Sequence, residues 1–330
     1  MIEQALRDLN PVPDPRAGRD ARRAAADLER IIALPRETAA QARPRPRHAH
    51  GRRLAVIGVA SCIALALLLG LPFLPWRSAP PALAATPPLL TGQLAPGTTG
   101  PAVTGELDQL ASIAAASDVS GRSGSRYATW DLTTRVHGAE PVRSAVVPLE
   151  VSLEVQADGS WHRLATYGPP VAGDLAAADL PAAGEVESDQ VFPADQVPRM
   201  FPERLATDPA GLRQQLEVAH PIDSLGSAEL FVALTDLAKE QTPAPQTRAA
   251  MLGMLAEPPD VRALGDMTDR DGRVGRAFAV DSAMSGLPTR YVLIVEPRSG
   301  RLLASEQVLT SRAGRLAVEV PAVISYVVFR

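Results

Sequence analysis

Residues Val147–Tyr167 read VPLEVSLEVQADGSWHRLATY. From Val147 to Val155 every odd position is apolar, while Glu150, Ser152 and Glu154 point the other way, which is the period-two pattern of a strand with one wetted face. Ala157-Asp158-Gly159-Ser160 carries turn chemistry, and Trp161–Tyr167 follows as a second strand. A connection this short joins only antiparallel neighbours.

The pattern returns towards the end of the chain. Val274–Val280, Arg290–Val295, Leu302–Leu309 and Leu316–Val328 are predicted strands, with turns at Asp271-Gly272, Ser299-Gly300 and Ala313-Gly314. Between the two groups lies a helical insert. Asp208-Pro209 is an N-cap followed by proline at the first helical position. Leu230, Phe231, Leu234, Leu237 and Ala238 mark a second helix, and Met251, Met254 and Leu255 a third. Gly168–Pro198 is an acidic stretch with no basic residue and reads as a surface loop. The expected fold class of residues 106–330 is therefore α+β: an antiparallel β-meander packed on helices, with a further helix from Glu106 to Ala116 at its start.

Working back towards the N-terminus, Ser78–Gly105 is rich in Pro, Ala, Thr and Gly and carries no charge, so residues 75–105 read as an extended linker. Ahead of it, Leu54–Leu74 is a 21-residue uncharged run, long enough to span about 30 Å of hydrocarbon as a helix. Arg43, Arg45, Arg47, Arg52 and Arg53 precede the run without an acid among them. Basic flanks stay in the cytoplasm, so the expectation is a single-pass protein of the cell membrane, with its N-terminus cytoplasmic and residues 106–330 extracytoplasmic. Cleavage is the competing reading, since Ala82–Ala85 resembles a signal-peptidase site and Val59–Cys62 a lipobox. The run is longer and deeper in the chain than a signal peptide's, and it continues past Cys62, which favours an anchor.

Charge agrees with that division. Residues 1–53 carry 12 Arg against 7 acids, a net of +5, and the rest brings the chain to −4. The basic side suits anionic membrane lipid, a predicted partner. Lys239 is the only lysine, so the arginine excess reads as codon usage and no nucleic-acid partner is predicted. Residues 1–53 also lack aromatics and so lack the bulk for a core of their own. They read as two short helices, Ile2–Leu9 and Asp20–Leu34, split by NPVPDP. In the second helix, Ala24, Leu28, Ile31 and Ile32 form a stripe beside Arg22, Arg23 and Arg30. The candidate partner-binding residues are Leu28, Ile31, Ile32, Arg22, Arg23 and Arg30. They suit either a cytoplasmic protein groove or an anionic lipid surface.

Signals of chemistry are few. Cys62 is the only cysteine, His137, His162 and His220 stand alone in sequence, and neither HExxH nor CxxC occurs. MTDRDG from Met267 has the outline of a calcium loop, but the register places Met267 and Phe278 at ligand positions, so it reads as a hairpin turn. No catalytic residue, cofactor or metal is predicted, and the chain is not read as an enzyme.

Four stretches carry a resemblance: LNPVPDP (Leu9–Pro15), LATDPAGLRQQL (Leu205–Leu216), LAEPPDVRALGDMTDRDGRVGRAF (Leu255–Phe278) and EPRSGRLLASEQVL (Glu296–Leu309). Through them the chain resembles an actinobacterial family of single-pass membrane proteins, whose layout is similar to that of membrane-bound anti-sigma factors. That resemblance implies an outer sensor or binding domain coupled to a cytoplasmic partner such as a sigma factor. The order of elements also resembles lipoprotein-carrier-like domains, which implies a hydrophobic ligand in the outer domain. The chain departs from zinc-type anti-sigma factors in having no His-x3-Cys-x2-Cys. The alternative function is an anchored ligand-holding or envelope-structural module with no cytoplasmic signalling role.

Overall fold

The structure, a computed structural model, describes residues 83–132 and 144–330. Residues 83–98 run as a largely non-helical strap. Helix α1 (Pro101–Ala115) follows, with Gly100 at a φ of 88° just before it. That left-handed residue breaks the preceding chain, and Pro101 opens the helix where its missing N–H has no bond to lose. The helix thus starts ahead of the predicted Glu106. Its buried residues Val103, Leu107, Leu110 and Ala114 lie along one face.

After β1 (Arg122–Asp131), the short β2 (Ala145–Val146) and β5 (Ala172–Gly173) pair with each other. Between them run β3 (Leu149–Val155) and β4 (Trp161–Tyr167), the hairpin that the opening stretch predicts. The predicted acidic loop 168–198 is corrected in part, because β6 (Val186–Phe192) lies within it and pairs with β4. Only one neighbour covers β6, so both of its faces tolerate acids and valines alike, and no clean alternation marks it.

The insert then supplies α2 (Pro209–Glu217), α3 (Ile222–Leu225) and α4 (Ser227–Glu240). It continues through β7 (Gln241–Thr242) into α5 (Pro245–Ala256). Asp208 caps α2 as read, its Oδ1 accepting the Gly211 amide at 2.8 Å. Strands β8 (Arg262–Thr268), β9 (Val274–Ser282), β10 (Thr289–Val295), β11 (Leu302–Leu309) and β12 (Ala322–Phe329) complete the chain. The strand predicted from Leu316 begins only at Ala322, just after Pro321, which has no N–H to give a ladder.

All pairings in the main sheet are antiparallel, in the order β6-β4-β3-β1-β12-β11-β10-β9-β8, with β7 paired to the start of β1. The chain's described part is thus an α+β arrangement of an antiparallel sheet and a few helices. On one face, Leu230, Phe231, Leu234 and Leu237 of α4 and Met251, Met254 and Leu255 of α5 pack with α1 against Phe278, Val280, Tyr291, Leu293 and Val295. Each such side chain contributes about 1.5–3 kcal/mol by leaving water. The opposite face is apolar as well: Ala277, Ala279, Val292, Ile294, Leu303 and Ala304 cluster with Met267, and Leu90 of the strap packs onto them. Strand β10 is accordingly buried on both faces, which explains its uninterrupted apolar run.

The predicted linker is corrected over its described part. Residues 83–98 lie on the sheet, with Ala85 and Leu90 seated in its clusters and Gln93 fully buried. A chain without charges loses water from its backbone at little cost if other donors replace it, and the strands supply those donors. Among the described residues no helix is long and apolar enough to cross a membrane. The predicted span Leu54–Leu74 lies outside them.

Candidate functional site

The strap is held by arginines from three different strands or their turns. Arg290 of β10 grips the Asp281 carboxylate through Nε at 2.7 Å and Nη2 at 2.8 Å, which aims its Nη1 at the strap. That nitrogen donates to the Ala95 carbonyl at 2.6 Å and to the Gln93 carbonyl at 3.4 Å. Arg270, in the β8–β9 turn, donates to Pro88 O at 3.1 Å, and its guanidinium lies 4.5 Å above the Tyr326 ring. Arg262 of β8 reaches Pro96 O at 3.5 Å. At the end of the strap Thr98 and Ala263 exchange both backbone bonds at 2.9 Å. Gly97, at a φ of 65°, allows this approach, since a β-carbon there would stand 2.9 Å from the Ala263 carbonyl oxygen.

Beneath the strap sits an ion pair removed from solvent. Glu306 accepts Arg270 Nη2 at 2.9 Å and the Gln93 side-chain amide on the same oxygen. Its other oxygen lies 2.8 Å from Arg270 Nε, an ionic contact without hydrogen-bond alignment. Gln93 also accepts the Leu90 amide at 2.9 Å, so one strap side chain links its own turn to a charge on the sheet. Burial pushes the Glu306 carboxyl above its ordinary value, against the opposing pull of Arg270 and Gln93.

A second polar cluster lies under the helices. Glu229 and Asp236 stand two turns apart on α4, and the buried His220, just beyond α2, fits between them. His220 Nδ1 is 2.8 Å from Glu229, whereas Nε2 is 3.7 Å from Asp236 and has no hydrogen-bond partner. Lys239 donates to Asp236 at 3.1 Å, and Phe201 stacks on the imidazole at 5.8 Å. This cluster ties the α2–α4 connection to the sheet side of α4. The described residues include no cysteine to complete a dyad, and the hydroxyl of Thr235 bonds Phe231 O and Ser305.

A groove of about 520 Å³ opens where the strap passes into α1. Pro101, Val103, Leu255, Pro258, Pro259 and Val261 give it apolar walls, with Asp108 and Glu257 among its polar residues. Its size falls within the range of small-molecule sites.

The candidate residues Leu28, Ile31, Ile32, Arg22, Arg23 and Arg30 lie outside the described residues, as does His137. His162 is on the surface, 2.7 Å from Asp189. His220 is not isolated, contrary to its position in sequence. The signal for it lies in the spacing of Glu229 and Asp236 on one helix face, which matters only once α2 folds back. In MTDRDG, Asp269 Oδ1 accepts the amides of Asp271 at 3.0 Å and Arg273 at 2.8 Å, so that carboxylate closes a turn while Met267 is buried in the core. Among the described residues no group of histidines, cysteines and acids is arranged to hold a metal ion. Comparison with protein-family models, curated proteins and solved structures finds no match.

Proposed function

We propose that the chain is a single-pass membrane protein with an extracytoplasmic binding or sensor domain that regulates a cytoplasmic partner, and that it is not an enzyme. In this reading Leu54–Leu74 is the anchor. The helix Asp20–Leu34 docks a protein such as a sigma factor through Leu28, Ile31 and Ile32, with Arg22, Arg23 and Arg30 against an acidic rim. The strap is the observation that carries the proposal. A loose tether cannot report on a domain, whereas this one is fastened by Arg262, Arg270, Arg290 and the Thr98–Ala263 bridge. A hydrophobic ligand in the groove would lie against Gly100 and Pro101, two residues beyond the strap's Thr98, which gives the sensor its input.

The test uses the full chain in cells. A reporter after Arg330 is active only outside the cytoplasm, and one before Met1 only inside. A crosslinker on the Asp20–Leu34 helix recovers a cytoplasmic protein, Leu28→Asp abolishes recovery, and the strap-loosening variant Arg290→Met changes its yield. Equal yields from wild type and Arg290→Met, with topology as stated, leave an anchored module without signalling and overturn the regulatory reading.

A further inference from the structure

Arg248 of α5 is only 1% exposed, the largest fully buried side chain among the described residues. Its Nε donates to Ser299 O at 2.8 Å, Nη1 to Pro243 O at 2.9 Å and Nη2 to Val119 O at 2.9 Å. All three partners are neutral carbonyls, and among the described residues no carboxylate lies within ion-pair distance of it. A guanidinium has five N–H groups, so these bonds leave two in hand. Buried charges are ordinarily matched by an opposite charge. Burial and the neighbouring Arg301 accordingly depress the guanidinium's proton affinity.

Arg248 lines a cavity of about 40 Å³ where β1, β7, β11 and β12 meet α5. Every charged residue lining that cavity is an arginine: Arg126, Arg248, Arg301 and Arg330. Three of them have carboxylates outside it, Arg126 with Glu154 at 2.7 Å, Arg301 with Glu296 at 3.1 Å and Arg330 with Asp271 at 3.0 Å. Those acids are partly exposed and none lines the cavity. Met251, Leu302 and Phe329 form apolar walls, which shield the space and strengthen a charge-assisted bond within it.

We infer that this cavity is a binding site for a small oxyanion, a phosphate or carboxylate group held by Arg248 at the back and by Arg126, Arg301 and Arg330 around it. One water occupies roughly 30 Å³ in the liquid, so the enclosed space of about 40 Å³ admits one or two oxygens of an anionic group whose remainder stays at the open rim, and excludes an acyl chain. The shared chemistry is that of a free anion or of an amphiphile whose tail stays outside. The site does not depend on the membrane topology or on the strap.

Thermal-shift titration of the full chain in uncharged detergent at constant ionic strength tests it, with inorganic phosphate and dihexanoyl phosphatidic acid as probes and chloride as the reference. The melting temperature rises saturably with a probe and not with chloride. Arg126→Gln, a rim substitution on a side chain that is mostly exposed, weakens that probe by about tenfold, the scale of one charge-assisted bond. Arg199→Gln, outside the cavity, leaves it unchanged. A response to inorganic phosphate identifies a free anion, and a response to phosphatidic acid alone identifies a head group. Arg248→Gln removes three structural bonds and risks misfolding, so Arg126→Gln carries the decision. No saturable rise with either probe, or a rise indifferent to Arg126→Gln, overturns the site and makes Arg248 a structural pin.

Discussion

Replacing Arg290 with methionine removes the strap's strongest polar fastening while keeping most of the apolar stem. The bond from Nη1 to Ala95 O is short and charge-assisted, and its loss costs about 1.5–3 kcal/mol. The 3.4 Å contact to Gln93 O adds little. Asp281 loses a bidentate partner, but at 42% exposure its carboxylate returns to water at a cost of about 0–1 kcal/mol. The expected loss is about 1.5–4 kcal/mol, against a total of about 5–15 kcal/mol for an ordinary domain, so the variant still folds. Urea denaturation measures the loss, with an unchanged m-value showing that the denatured state is the same. Hydrogen exchange separates local from global release. The Thr98 amide, bonded to Ala263 O, exchanges faster than the global loss requires, while amides in β10 follow the global loss alone. A change below about 0.5 kcal/mol, with Thr98 exchange as in wild type, shows that Ala85, Leu90 and the other bonds hold the strap without Arg290.

Trp161→Ala costs about 3–5 kcal/mol in the same denaturation assay, because the ring is 4% exposed and covered by Arg199 at 4.7 Å; a loss below about 1 kcal/mol refutes burial of the ring. Trp161→Phe costs much less, since the indole N–H has no partner to lose. Asp208→Ala lowers stability by about 0.5–2 kcal/mol through loss of the α2 cap, and Asp208→Asn retains most of it; equal effects would exclude capping as the cause. Burial pushes the Tyr326 phenol up from 10.0 to about 12. The raised value means that its contribution to stability is complete below pH 10 and is lost between pH 10 and 12. The wild-type minus Tyr326→Phe phenolate absorbance shows a late transition, and one at the ordinary value would place the ring in water.

The hairpin β3–β4 was legible because both signals are local: alternation along Leu149–Val155 and a turn at Ala157–Ser160. Helices α2, α4 and α5 were legible for the same reason, as cap, proline and apolar spacing all lie within each segment. Strand β1 escaped because its buried positions, Gly124, Ser125, Ala128 and Trp130, include adjacent residues without apolar side chains and so break any period-two count of apolar residues. In β8 the register shifts between Ala263 and Gly265, which breaks any period-two count. The strap had no local signal at all. Its donors Arg262, Arg270 and Arg290 lie more than 160 residues downstream, and its own contacts are made by alanine, leucine and one glutamine. The cavity around Arg248 was equally hidden, since its four arginines come from four separate elements or their ends.

Strand β12 lies between β1 and β11, and this fixes the order in which the sheet can be completed. It follows the other strands of the sheet in chain order, yet it joins one half (β6-β4-β3-β1) to the other (β11-β10-β9-β8). Until β12 arrives, β1 and β11 each present an open edge to other chains. Premature stops just before Ala322 are expected to yield two mismatched half-sheets and aggregation, not a slightly shortened domain.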